Sequence, residues 1–261
     1  MPATVTHTPA VVFIHGIGGS ARVWAPQVES FTAAGFALVA LDLPGYGARP
    51  PVEAMDFDDL AADVEEAIDQ HRLSRPILVG HSMGGMVAQT ALRRRPDGYS
   101  AAVLVCSSPA FGHAGGEFQK KFVADRLGPL DAGRTMADLA PKMVDRMIGP
   151  SADPAGRAYA VKVMSAVPAE TYRAAVRCLV GFDERANLGK IAVPVLCLAG
   201  DKDPNAPAAV VERMAGKIPG ARYICLAGVG HLPNLEASAA FDAAILSFLR
   251  HVLIPISPDP A

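Results

Sequence analysis

The stretch Ile77-Leu78-Val79-Gly80-His81-Ser82-Met83-Gly84-Gly85-Met86-Val87 constrains the fold of this chain more than any other. Its apolar run reads as a buried strand that delivers the chain to Ser82, and the segment beyond has helix-forming character. The turn between them is so tight that side chains at positions 80 and 84 would collide with neighbouring backbone, which explains glycine at both. A strand–turn–helix of this kind pushes the serine Oγ out of the sheet and sets the Met83 N–H beside it. The helix also aims its unpaired N–H groups and the positive end of its dipole at the same point.

A strand of this type needs parallel neighbours, and the flanking sequence supplies them. Ala10–Ile14 is a short continuous apolar run, the pattern of a strand buried on both faces. It enters the glycine-rich turn His15-Gly16-Ile17-Gly18-Gly19-Ser20. Val23, Trp24, Val28 and Phe31 predict a helix over 22–34, and residues 36–41 a second buried strand. Asp42-Leu43-Pro44-Gly45-Tyr46-Gly47 announces a tight loop. A helix is predicted over 57–71 and a strand over 101–106. Short apolar strands alternating with amphipathic helices predict an α/β fold with a doubly wound, mostly parallel sheet.

The alternation stops after Pro109. Residues 110–187 show helical spacing throughout, broken by Gly128-Pro129, Gly149-Pro150 and Val167-Pro168. They predict a helical cap inserted into a core made of residues 1–109 and 188–261. Most Met and aromatic stripes of the cap are expected to pack helix on helix, while those facing the sheet would form a pocket. Loops 107–116 and 181–189 are candidate hinges. Alternation resumes with strands over 193–199 and 222–226 and helices over 208–217 and 237–251; a proline-rich tail from Ile254 is expected to be extended or frayed.

Composition narrows the partners. With 51% hydrophobic and 19% charged residues among 261, a large buried core is expected. A net charge of −2 without a basic block gives no support for nucleic acid or an anionic membrane as partner. No signal peptide or transmembrane run is visible, and Cys106, Cys178, Cys197 and Cys225 lack metal-type spacing. Buried free thiols and a cytoplasmic protein are the expectation, with a small molecule as partner and a monomer or homodimer as assembly.

The elbow serine sets the search for chemistry. A serine hydroxyl needs a base within hydrogen-bond reach, and the base needs an acid to fix its tautomer. In serine-first order both should follow later in the chain, each on a loop after a strand. Asp203 follows the 193–199 strand and His231 the 222–226 strand. All three would meet at the carboxyl edge of one parallel sheet. Asp201 competes with Asp203, but Asp203 stands further along the loop, before Pro204, where it can bend back toward His231. Asp201 is then a loop-capping carboxylate. For an oxyanion, Met83 supplies one N–H and Ile17 the other. Gly16, Trp24 and His81 are candidate substrate-binding residues, with His81 packed inside the elbow and His7, His71 and His251 facing solvent. The His15–Ser20 loop lacks the G-x-G-x-x-G spacing of a dinucleotide site, and no metal or organic cofactor is called for.

His15-Gly16, Asp42-x-x-Gly45-x-Gly47, Gly80-His81-Ser82-Met83-Gly84-Gly85, Gly200-x-x-Asp203 and Gly230-His231, in that order, resemble the α/β-hydrolase superfamily along essentially the whole chain. Trp24, Asp183-Glu184-Arg185-Ala186-Asn187-Leu188 and Gly230-His231-Leu232-Pro233-Asn234-Leu235-Glu236 look like the 3-oxoadipate enol-lactonase group. The resemblance implies a serine hydrolase of the carboxylesterase or enol-lactonase type, working through an acyl-enzyme. The alternative it implies is a carbon–carbon bond hydrolase of aromatic meta-cleavage products, and further off a non-catalytic receptor. Dehalogenase or epoxide hydrolase chemistry would need a carboxylate at position 82. The α/β-hydrolase superfamily usually carries two further strands before the His-Gly strand; here about nine residues precede it, so the sheet edge should be shortened or built differently. An enol-lactonase must also hold a carboxylate. Lys120, Lys121, Arg126 and Arg134 are the basic candidates in the cap, each expected at its solvated surface.

Overall fold

The computed structural model describes residues 8–112 and 115–253; His7 and the tail from Ile254 lie outside them. Strands β1 (Ala10–Ile14), β2 (Ala37–Leu41), β3 (Ile77–His81), β4 (Ala101–Val105), β5 (Val195–Gly200) and β6 (Arg222–Leu226) form one sheet in the order β2-β1-β3-β4-β5-β6. Every pairing is parallel. The crossovers run through α1 (Val28–Ala33), α2 (Phe57–Gln70), α3 (Met83–Arg94), and, after the insertion, α8 (Ala208–Ala215). The insertion between β4 and β5 carries α4 (Glu117–Asp131), α5 (Met136–Asp145), α6 (Pro154–Ser165) and α7 (Ala169–Leu179). A short turn α9 (Pro233–Glu236) and the long α10 (Ser238–Leu253) close the chain.

The strand pleat explains how one sheet feeds two cores. Along β1, Val12 and Ile14 point to one side, where they meet α2, α3 and the inserted helices. Val11 and Phe13 point to the other, against Trp24, Phe31 and the α10 residues Phe241 and Ile245. Burying each large apolar side chain stabilises the fold by roughly 1.5–3 kcal/mol. Both faces of β1, β3, β4 and β5 are buried throughout.

Several local expectations need correction. β2 is not buried on both faces: it is an edge strand among the described residues, with Ala37 and Ala40 exposed and Leu38, Val39 and Leu41 half-buried. β6 forms the opposite edge, which leaves Cys225 exposed, and Cys178 is only half-buried; Cys106 and Cys197 are buried thiols. The helix expected over 22–34 splits into a 3-10 segment, Ala21–Gln27, and α1. Pro26 sits where the split occurs and lacks the N–H an α-helix would use. Val28 consequently faces solvent.

Main-chain pairing draws the two ends of the insertion together. Phe111 N–H donates to the Phe182 carbonyl at 3.0 Å and Glu184 N–H to that of Pro109 at 2.8 Å, around an antiparallel bridge between Ala110 and Asp183. Among the described residues, no helix is long and apolar enough to cross a membrane.

Candidate active site

The elbow stores strain that its neighbours sustain. Ser82 has φ 53° and ψ −116°, a conformation non-glycine residues rarely adopt, at a cost of about 1–3 kcal/mol. A Cβ on Gly80 would stand 2.3 Å from the Gly84 carbonyl oxygen, and one on Gly84 would stand 2.2 Å from that of Ile14. Hydrogen bonds lock the turn from both sides. Ser82 N–H donates to the Val105 carbonyl at 2.8 Å, and Ser107 Oγ–H to the Ser82 carbonyl at 2.9 Å.

From this elbow Ser82 Oγ lies 3.0 Å from His231 Nε2, and His231 Nδ1 lies 2.7 Å from Asp203 Oδ2. A carboxylate only accepts, so Nδ1 carries the proton and Nε2 presents its lone pair to the serine hydroxyl. Both Asp203 and His231 are buried. Burial pushes the Asp203 carboxyl up, but the His231 interaction and the N–H groups of Ala206 and Asn205 outweigh it and hold the pKa below the ordinary value. Those two N–H groups both reach Oδ1, at 3.0 and 2.8 Å, leaving Oδ2 for the imidazole. Asp201 caps its loop by accepting from Gly228 N–H at 2.6 Å, and it pairs with Lys202.

The backbone of His231 is gripped on both sides. Its N–H donates to the Met147 carbonyl in the insertion at 2.7 Å, and its carbonyl accepts from His81 Nε2 at 2.6 Å. His81 is fully buried, and burial together with the nearby His231 lowers its pKa to about 3, so it is a neutral donor. His15 is likewise neutral, with burial lowering it to about 4. Its Nδ1 donates to the Gly16 carbonyl at 2.8 Å and its Nε2 accepts from Leu43 N–H at 3.2 Å, which fixes the loop that carries Ile17. Among the described residues, the N–H groups of Ile17 and Met83 make no hydrogen bond.

A cavity of about 260 Å³ opens beside these groups. Gly16, Ile17, His81, Ser82 and His231 line it from the sheet side, and Phe118, Phe122, Met143, Met147, Met164 and Tyr172 from the inserted helices. Trp24 does not. It is buried on the opposite face of the sheet, stacked on Phe13 at 4.7 Å, so it belongs to the core. His71 and His251 face solvent.

Sequence reasoning gave no role to Glu236. This buried carboxylate accepts from three backbone N–H groups, Gly149 and Gly230 on Oε2 and Leu232 on Oε1, all at 2.7 Å. It thereby ties the α5–α6 connection to both sides of His231. The available signal was an acid five residues past His231 in a stretch otherwise short of charge. Arg126 was expected at the surface, yet it is half-buried and lines the cavity.

Residues 11–244 match the model of the alpha/beta hydrolase family. "Putative carbamate hydrolase RutD" of Variovorax paradoxus is 30% identical, over 95% of this chain and 94% of that protein. A pimeloyl-[acyl-carrier protein] methyl ester esterase of Chromobacterium violaceum is 28% identical, over 95% and 96%. Among solved structures, the enol-lactonase of Burkholderia xenovorans LB400 superposes with a TM-score of 0.83 at 26% identity, covering 94% of this chain and 92% of that one. With the all-parallel sheet, the strained Ser82 elbow and this span of similarity, the chain belongs to the alpha/beta hydrolase family.

Proposed function

We propose that this protein is a serine hydrolase that cleaves a small ester or lactone through an acyl-enzyme on Ser82. One observation carries the reading: the continuous hydrogen-bond chain from Ser82 Oγ through His231 to Asp203, opening on the cavity.

The steps follow from the groups present. His231 Nε2 takes the hydroxyl proton as Ser82 Oγ attacks the substrate carbonyl carbon. Asp203 holds the imidazole in that tautomer and stabilises the imidazolium. The N–H groups of Met83 and Ile17 receive the oxyanion, and losing one such donor slows turnover by on the order of 10²–10³. The tetrahedral adduct collapses, the C–O bond to the leaving group breaks, and the departing oxygen takes the proton from His231. Water deprotonated by the same nitrogen then attacks the acyl-enzyme and regenerates Ser82.

The cavity size supports small substrates, since pockets for drug-sized ligands begin near ~300 Å³. The relatives reported above include an enol-lactonase, a methyl ester esterase and a protein named as a putative carbamate hydrolase, all named for carbonyl compounds, which supports an acyl-transfer reading. The residues 110–187 act in this proposal as the cap that walls the substrate in.

Stopped-flow release of nitrophenol from a short-chain nitrophenyl ester, in the wild type and Ser82→Ala, tests the scheme. A burst or steady turnover lost in the variant is expected, after which lactones, enol-lactones and vinylogous diketones rank the scissile bond. Equal rates in both proteins, across all four substrate types, contradict the scheme and favour a receptor on the same fold.

A further inference from the structure

The four basic residues singled out in the insertion part company in the structure. Lys120 pairs with Glu117 at 2.9 Å, Lys121 with Asp125 at 2.8 Å, and Arg134 approaches Asp138 at 3.7 Å, all at exposed positions. Arg126, on α4, has no carboxylate within ion-pair range among the described residues, and it alone of the Lys and Arg side chains there lines the cavity.

Its guanidinium is positioned by other means. The central carbon sits 4.6 Å from the centroid of the Phe122 ring, and one Nη2–H reaches Asn205 Oδ1 at 3.4 Å. Nε is shut off from solvent without an acceptor. A guanidinium has five N–H donors, and this one finds only the long contact to Asn205 and the neighbouring Tyr172 hydroxyl. Beside it lies the buried Tyr172 hydroxyl, whose near partner is Arg126 itself and which makes no well-formed hydrogen bond to any other group. Burial pushes that phenol up to about 12, while the Arg126 charge and its hydrogen bond to the hydroxyl pull the other way. The surrounding wall is apolar: Phe111, Phe118, Phe122, Met143 and Leu179. A cation and a hydroxyl that have little beyond each other and one long amide contact in apolar surroundings are under-satisfied until a ligand completes them.

We infer that Arg126 is the anion-recognition residue of this cavity, and that the substrate is an ester or lactone bearing a carboxylate remote from the carbonyl that Ser82 attacks. The inference rests on the serine hydrolase reading proposed above. One guanidinium without a second cation suits a monoanion, and its planar fork matches the two oxygens of a carboxylate. A phosphate dianion would call for more positive charge than the cavity holds. The Tyr172 hydroxyl offers one further donor to the same carboxylate, and the apolar wall accommodates the methylene chain between the two ends of the substrate.

The test uses nitrophenyl hemi-esters of dicarboxylic acids from adipic to suberic, each beside its methyl-capped neutral diester, corrected for spontaneous hydrolysis. In the wild type, kcat/KM for the hemi-ester should exceed that of the capped diester by roughly 10- to 100-fold at the best chain length, the range of a charge-assisted contact. Arg126→Gln should bring that ratio close to one, and Arg126→Lys, which keeps the charge without the fork, should fall between. Arg126→Lys also covers the case in which the Gln variant does not fold. Ser82-dependent turnover with equal preference for both esters overturns the anion site and leaves the hydrolase reading standing. If no ester is turned over, the hydrolase reading is what fails. Calorimetric titration with adipate then decides the site by itself: binding weakened tenfold or more by Arg126→Gln supports it, and binding absent or unchanged overturns it.

Discussion

Glu236→Gln removes one charge and exchanges one acceptor for a donor without changing shape. Oε2 accepts from both Gly149 and Gly230, so the amide oxygen should take that side. The new NH2 group then faces the Leu232 N–H, which Oε1 accepts from at 2.7 Å in the native protein. Orphaning that part-buried donor costs about 1–3 kcal/mol, and the two surviving bonds lose their charge assistance, about 1 kcal/mol each. The sum is roughly 3–5 kcal/mol, a large share of the 5–15 kcal/mol that holds a typical domain folded. Function should suffer beyond stability, because Gly230 and Leu232 flank His231. A displacement of the imidazole by about 1 Å lowers turnover on the order of 100-fold. Urea unfolding of wild type and variant gives the first quantity, and turnover at a temperature where both are folded gives the second. A destabilisation below about 1 kcal/mol with unchanged turnover would refute the assignment of Glu236 as the clamp on the histidine loop.

Three further outcomes follow from the same geometry. Asp203→Asn should lower turnover about 10⁴-fold, because the amide oxygen will take the Ala206 and Asn205 N–H groups and its NH2 will face His231 Nδ1. That reverses the tautomer; a loss below tenfold in kcat contradicts it. Gly84→Ala puts a methyl 2.2 Å from the Ile14 carbonyl oxygen, so soluble yield should collapse or the melting temperature fall by about 10 °C or more, and a melting temperature within about 2 °C of wild type refutes the packing. His15 and His81 titrate in the folded state near 4 and 3, below the ordinary 6.5, so the unfolded chain binds their protons first. Their contribution is complete above about pH 6.5 and is lost as pH falls toward 4 and then 3, about 1.4 kcal/mol per pH unit for each histidine. Denaturation curves at pH 7.5, 6 and 5 should show that decline, and constant stability over the range contradicts it.

What could be read before the structure depended on how local the cause was. The elbow was legible because Gly80, Ser82 and Gly84 answer to contacts within a few residues and to the adjacent strand β1. β3 and β4 were legible as apolar runs because both faces are covered. β2 misled for the reverse reason: its sequence is as apolar as that of a central strand, and only its place at the edge exposes it. Trp24 misled because a helical stripe does not say which face of the sheet it will meet. The clamp by Glu236 and the placement of Arg126 join residues 87 and 79 positions apart, and no periodicity encodes such pairs.

The proposed chemistry requires Ser82 as the nucleophile, and covalent trapping reads that directly. The wild type treated with a fluorophosphonate should gain one phosphonyl group by intact mass, mapped by peptide sequencing to Ser82. Ser82→Ala should gain none, and its ester turnover should fall to background. A phosphonyl group on another residue, or an unlabelled wild type that still hydrolyses esters, would contradict the acyl-enzyme on Ser82.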